Sequence, residues 1–136
     1  MTDSCIFCRI GNGEIPAKVL RENGSALAFL DVEPHAPGHT LVIPKVHAST
    51  LAELPREYVE PVFALAQEVA QLLESKLALD GMTIGINQGT VGGQAVPHLH
   101  VHLMPRFSGD GGGSIHTVVR NIPTQSLDDI YHTLTS

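Results

Sequence analysis

The chain has 136 residues, with 14 acidic side chains against 8 Lys and Arg, and a formal net charge of -6. At 43% hydrophobic and 16% charged it has the balance of one globular domain able to bury its own core, and its scattered cations exclude a nucleic-acid polymer as the expected partner. No basic segment followed by an apolar stretch opens the sequence, and no apolar run reaches membrane-span length, so a cytoplasmic protein without signal peptide or membrane contact is expected.

Taken in order, "CIFCRIGNGEIPAK" reads as a short helix, a Gly-Asn-Gly turn and an extended Ile-Pro segment. Its two cysteines, Cys5 and Cys8, form a C-x-x-C pair, whose options are metal ligation, redox chemistry or neither. A thioredoxin-like site would need a strand before the pair, and none is expected there. "KVLRE" and "SALAFLD" read as strands around a turn at Asn23-Gly24. "VEPHAPGH" is a loop, and "TLVIP" a third strand ending at Pro44. "KVHASTLAEL" reads as a further loop.

A long helix is expected from about Pro55 to Leu79, with an apolar face of Val59, Val62, Phe63, Ala66, Val69, Ala70, Leu73 and Leu77, and Gly81 as its stop. Pro61 removes a backbone donor, so it should kink this helix or push its start later. "MTIGIN" reads as a fourth strand, "QGTVGGQAVP" as a Gly-rich loop, and "HLHVHLMP" as a fifth strand. "GDGGGS" is a flexible loop, and Leu127 to Leu134 a terminal helix. The whole reads as one α+β domain over 1–136: a five-stranded antiparallel sheet against one long helix, with a core over 5–106 and a tail of loop and short helix over 107–136.

In the fifth strand, period-two alternation puts His98, His100 and His102 on one face, and Leu99, Val101 and Leu103 on the other. The apolar side should meet the long helix, which leaves the histidines facing a cleft or solvent. Eight histidines in 136 positions produce this spacing in roughly 3% of shuffled chains. A polar sheet face that happens to use His, and a three-His zinc site with a ligand from elsewhere, are the alternatives at this point.

His98-Leu99-His100-Val101-His102-Leu103-Met104 resembles the signature of the histidine triad (HIT) family. "CIFCRIGNGEIPAKVL", "LAFLDVEPHAPGHTLVIPKVH" and "GINQGTVGGQAVPHLHVHLMPR", in that order, resemble its nucleotide-hydrolase branch from Cys5 to Arg106. The resemblance implies an antiparallel sheet with a long helix, a homodimer, and attack on the α-phosphorus of a purine nucleotide ester, phosphoramidate or anhydride. His100 is then the nucleophile, passing through a nucleotidyl-histidine and releasing AMP. His102 would contact the phosphate oxygens and the leaving group, and His39 would support the nucleophile's hydrogen-bond network. Asn87 would touch ribose or phosphate, Gly92 and Gly93 would bring backbone N–H groups to the anion, and Gln94 would lie near it.

Ala95 stands where several members carry Ser or Thr, so only its backbone N–H can serve there. Asp31 is similar to the acid that accepts both ribose hydroxyls, and Ile15, Phe29 and Val32 to the residues around the base. Bacterial members suggest structural zinc on Cys5, Cys8, His47 and His98. The implied activity is that of an adenosine phosphoramidase. Dinucleoside polyphosphate hydrolysis and a nucleotide-binding regulator with weak catalysis are the alternatives. His35, His116 and His132 read as surface histidines, and Gly109–His116 as a segment that could close over substrate.

Overall fold

The computed structural model describes residues 4–136. Five antiparallel strands lie in the order β1-β2-β3-β5-β4: β1 Val19–Glu22, β2 Ala26–Leu30, β3 Thr40–Pro44, β4 Gly81–Gly85 and β5 Val101–Arg106. Asn23 closes the first hairpin, its side-chain oxygen accepting from the N–H groups of Ser25 and Ala26 at 2.9 and 2.8 Å.

Alternation along the central strands sorts side chains onto two faces. Ala26, Ala28, Val42, Leu99, Val101 and Leu103 pack with Val62, Leu65, Val69 and Leu73 of α2 (Val59–Lys76). The alanines leave room for the helix to lie close to the sheet. Leu27, Phe29, Leu41 and Ile43 meet Cys5, Phe7 and Cys8 on the opposite face, beside α1 (Ile6–Gly11). Both faces of β2 and β3 are therefore covered.

The long helix is shorter than its periodicity predicts. Arg56–Tyr58 form a 3-10 turn and α2 begins at Val59. Pro61 thus falls in the first turn of α2, where its missing N–H breaks no intrahelical bond. Leu77 is already extended, and Gly81 opens β4 instead of stopping the helix. Leu65 joins the buried face, while Val59 and Phe63 stay 38% exposed.

The fifth strand also starts later than its alternation predicts, at Val101. Its ladder with β3 covers Thr40 to Val42 only. Beyond that, the Pro44 carbonyl lies 2.9 Å from the His98 ring, and the Leu99 N–H turns to Ala48 O at 2.7 Å. His98 and His100 lie just before β5, and their alternation with Leu99 survives. C-terminal to β5, a loop and a 3-10 turn at Ile115–Thr117 lead to α3, Leu127–Thr135. Ser126 caps α3 by accepting from Asp129 N–H at 3.0 Å, and α3 buries no residue. Among the described residues no helix is long and apolar enough to cross a membrane.

Candidate functional site

The three triad rings are not equally open. His98 is fully buried and His100 is 7% exposed, because α1 covers the face expected to meet solvent. Phe7 stands edge-on to both rings, with centroids 5.9 Å from His98 and 5.1 Å from His100, and edge-on to Phe29 at 5.7 Å. Sequence reasoning passed over Phe7; its signal was a large aromatic enclosed by the C-x-x-C pair.

Hydrogen-bond partners fix the tautomers. A carbonyl can only accept and a backbone N–H can only donate. His100 Nδ1 lies 2.7 Å from His98 O, so Nδ1 carries the proton and Nε2 keeps a lone pair. His35 N–H donates to His39 Nδ1 at 3.1 Å, so His39 carries its proton on Nε2. That N–H faces His102 Nδ1 at 3.0 Å, which leaves the His102 proton on Nε2. His102 Nε2 is the buried side-chain nitrogen left without a partner among the described residues. The His100 and His102 ring centroids are 4.9 Å apart. A bare nitrogen and an unpartnered N–H are therefore carried by neighbouring rings. Among the triad rings His39 bonds to His102.

Burial, reinforced by His100 and His39, pushes His102 down to about 4, so at neutral pH it is an uncharged donor. Burial also lowers His39, against the pull of Asp31, whose Oδ2 is 3.6 Å from His39 Nε2. Gly38 sets His39 in place: its φ is +86°, and a Cβ there would meet Leu77 Cδ1 at 2.6 Å.

Asp31 Oδ1 accepts from Glu33 N–H at 2.9 Å, so one oxygen already shapes the turn. Ile15 is half-buried along a cavity of about 390 Å³ with Ile10 and Pro16. Phe29 is buried core, and Val32 is 89% exposed.

The Gly-rich loop differs from expectation in which groups are free. Gly93 N–H donates to Thr90 O and Gln94 N–H to Gly89 O, both at 3.0 Å. The Gln94 amide donates to Ser49 O and Val96 O and accepts from Gly89 N–H, so this side chain stitches the loop. Gly93, at φ +94°, lets the chain turn beside the Asn87 side chain. Asn87 and Ala95 are exposed, and Ala95 N–H has no partner among the described residues.

The other cluster joins Cys5, Cys8, His47 and His98, whose donor atoms all lie within 4.8 Å of one another. His98 Nε2 donates to Pro44 O, so the Nδ1 lone pair points at Cys5 Sγ (3.3 Å) and Cys8 Sγ (3.4 Å). His47 Nδ1 lies 3.2 Å from Cys8 Sγ. Zinc bonds of about 2.3 Å to sulfur and 2.0–2.1 Å to nitrogen make a tetrahedral edge of roughly 3.5 Å, close to these spacings. The carbonyl on the far nitrogen of His98 is the outer support such a ligand uses. Burial and the neighbouring Cys5 raise the Cys8 thiol to about 11, so a cation bound here must displace a proton.

His35, His116 and His132 are exposed, as expected. His35 nonetheless contributes its backbone N–H to the His39–His102 chain.

The HIT domain family model matches residues 12–109. An uncharacterised HIT-like protein of Methanocaldococcus jannaschii is 43% identical over 126 residues, covering 93% of this chain and 95% of that one. A Zn-bound histidine triad family protein from Mycobacterium smegmatis aligns with a TM-score of 0.75 at 40% identity, covering 82% of this chain and 81% of that one. A histidine triad nucleotide-binding protein from Candida albicans aligns with a TM-score of 0.81 at 29% identity, covering 97% and 93%. The sheet order, the triad and the extent of these matches agree, and the chain belongs to the HIT domain family.

Proposed function

We propose that the protein hydrolyses purine nucleotide phosphoramidates or mixed anhydrides at the α-phosphorus, through a covalent nucleotidyl-His100, and releases AMP. The observation that carries this reading is the pairing of the His100 Nε2 lone pair with the unpartnered His102 Nε2–H. A nucleophile and a hydrogen-bond donor with opposite proton assignments suit an electrophilic phosphorus and its oxygens. His100 Nε2 bonds to phosphorus as the P–N or P–O bond breaks, and the leaving atom keeps that electron pair and takes one proton. Water then attacks phosphorus, the N–P bond breaks, and the water gives up one proton, with solvent as the reservoir. His102 donates to the phosphoryl oxygens or the leaving atom, and His39 holds its tautomer. Ala95 N–H supplements them.

The nucleoside lies toward Asp31, whose second oxygen takes ribose hydroxyls, with Ile15, Phe29 and Val32 near the base and Asn87, Gly93 and Gln94 framing the phosphate. Zinc is held by Cys5, Cys8, His47 and His98. With four protein ligands it is structural, and it ties the N-terminal segment to the triad. A second copy of the chain covers the apolar residues left exposed on α2 and on edge strand β4: Val59, Phe63 and, at 52% exposure, Ile84.

Incubation with adenosine 5′-phosphoramidate tests the reaction. AMP release by the wild type, abolished in His100→Ala, is the expected result. Equal release by the two would sink it, and tight AMP binding without turnover would favour the regulator.

A further inference from the structure

Cys5 and Cys8 are the chain's two cysteines, and both are free thiols in the fold. They share the first turn of α1. Cys5 is its N-cap: Cys5 O accepts from Arg9 N–H at 3.1 Å, and Cys5 Sγ from Cys8 N–H at 3.3 Å. Rise and radius place Cα atoms three residues apart on a helix about 5 Å from one another. That lies inside the roughly 4.4–6.8 Å that a disulfide spans. The two sulfurs lie within 4.8 Å of one another, and both meet His98 Nδ1, at 3.3 and 3.4 Å. Rotation of the side chains, with the backbone in place, brings sulfur to sulfur.

Access to the pair is one-sided. Cys5 borders a cavity of about 380 Å³ together with Ile6, His47 and Ala95. No Lys, Arg, Asp or Glu stands among the described residues that line it, so a small neutral molecule reaches the Cys5 sulfur without displacing an ion pair. Cys8 lies deeper, with its sulfur against His47 Nδ1 at 3.2 Å and its neighbours Leu27, Phe29 and Ile43 in the core. An oxidant arriving from solvent therefore meets Cys5 first, with Cys8 placed to resolve the product.

The same turn covers the triad. Phe7 stands between the two cysteines in sequence and edge-on to His98 and His100 in space. With six residues, α1 is too short to hold its shape alone and depends on what it is tied to. A cation on Cys5, Cys8, His47 and His98 ties it to the residue two before His100. A disulfide removes both sulfur ligands at once and leaves two imidazoles, half of a tetrahedral set.

From the shared turn, the common contact with His98 and the one-sided access, we propose that Cys5 and Cys8 form a reversible disulfide site for hydroperoxides, whose closure frees the metal and loosens α1 over His98 and His100. The disulfide rests on the thiols alone; release of metal rests also on the reading of the cluster as a zinc site. The Cys5 sulfur attacks a peroxide oxygen, the O–O bond breaks with its electron pair going to the departing oxygen, and that oxygen leaves as water. Cys5 is then a sulfenic acid. The Cys8 sulfur attacks it, the S–O bond breaks, and a second water leaves. The two thiols give up two electrons and two protons, and hydrogen peroxide takes them; with zinc bound, solvent supplies the protons. A dithiol reverses the step by exchange.

The test treats the full chain, as isolated, with hydrogen peroxide. Both thiols should disappear, the mass of the metal-free chain should fall by two hydrogens, and one zinc should be freed for each disulfide formed. Dithiothreitol with added zinc should restore the starting state. Amide exchange at Arg9 and Asn12, whose N–H groups bond to Cys5 O and Cys8 O, should quicken about 10-fold in the oxidised form. In Cys8→Ser, dimedone should trap a sulfenic acid at Cys5; in Cys5→Ser, labelling of Cys8 should fall at least about 10-fold. Oxygen added to one cysteine while the other stays a thiol, disulfides between chains, or thiols that outlast glutathione in the same mixture each overturn the site. A disulfide that forms with zinc retained, or with exchange unchanged, overturns its coupling to α1. Disulfide closure in protein isolated without zinc supports the site and sinks the zinc reading.

Discussion

Two polar clusters stand on the same short stretch of chain and behave as opposites. In the first, His98 Nε2–H donates to Pro44 O and the ring aims a lone pair at two thiols. In the second, protons alternate along His35 N–H, His39 and His102, and the last N–H is left without a partner among the described residues. One cluster gathers acceptors and suits a cation; the other ends in a donor and suits an anion. The residue type is the same. The difference lies in whether the far ring nitrogen meets a carbonyl or an N–H, which is a property of the backbone nearby.

The largest effect that would break this contrast is removal of the one lone pair not claimed by either cluster. His100→Ala should lower AMP release from a phosphoramidate by at least about 1,000-fold. Single-turnover assays at matched fold and zinc content provide the check. A loss below tenfold would mean that the nucleophile lies elsewhere.

Next in size is the cation cluster. Cys8→Ser should drop bound zinc from about one per chain to near none, and lower Tm by on the order of 10 °C, with metal ligation and folding linked. Metal analysis beside a thermal melt reads both. Unchanged zinc and Tm would remove Cys8 from the ligand set. The phosphate chemistry, by contrast, should tolerate a chelator for as long as the fold survives.

How much of this was legible without coordinates follows from which interactions are local. Alternation in "HLHVHL" placed Leu99, Val101 and Leu103 against the long helix, because strand periodicity is a property of three consecutive bonds. It could not reveal that α1 would close over His98, since that cover comes from residues 90 positions away. Hydrophobic periodicity found α2 but overran both ends: Arg56–Tyr58 tightened into a 3-10 turn, and the chain straightened at Leu77. Gln94 and Gly93 were read as phosphate donors from their neighbourhood, and their bonds turned out to go to the loop's own backbone and to Ser49 O. Which triad ring His39 would meet was not legible, because partner choice depends on the β3–β5 register, which sets Leu41 opposite His102. Arg106 Nε bonds Asp110 Oδ2 at 2.8 Å and its guanidinium also donates to Gly113 O, an i, i+4 pairing that nothing in "RFSGD" announces.

The donor chain offers the next prediction. His39→Ala removes the N–H that fixes the His102 tautomer, and should cost about 10- to 100-fold in kcat, with little change in KM. His39→Gln, whose amide can still donate, should recover part of that loss. If alanine and glutamine behave alike, His39 acts by packing alone.

Burial of the same rings makes stability depend on pH. His102 titrates near 4 in the fold against an ordinary 6.5, and His39 is lowered too. Between these limits the unfolded chain binds protons that the native one refuses. This contribution is therefore complete above about pH 6.5 and is lost as pH falls toward 4, by on the order of 2 kcal/mol for His102. Urea denaturation across that range gives the slope. In His102→Gln it should flatten, and an equally steep slope there would assign the effect to other groups.

The smallest expected effect concerns Ala95, where the resemblance implied a hydroxyl. In this chain Ala95 is exposed and borders a depression shared with Cys5, Ile6 and His47, on the cation side of the triad. The cavity lined by Phe107, Ile115 and Val118 begins at His102, on the other side. A hydroxyl added at Ala95 is well hydrated in the free protein, so a new bond to substrate replaces one to water and nets about 1 kcal/mol at most. Ala95→Ser should then change kcat/KM for adenosine 5′-phosphoramidate by less than about fivefold, and leave stability within about 0.5 kcal/mol. A larger gain, confined to kcat, would place the leaving atom beside Ala95. The anion half of the site would then extend across His100 toward the cysteines, and the division between the two clusters would be less sharp than their tautomers imply.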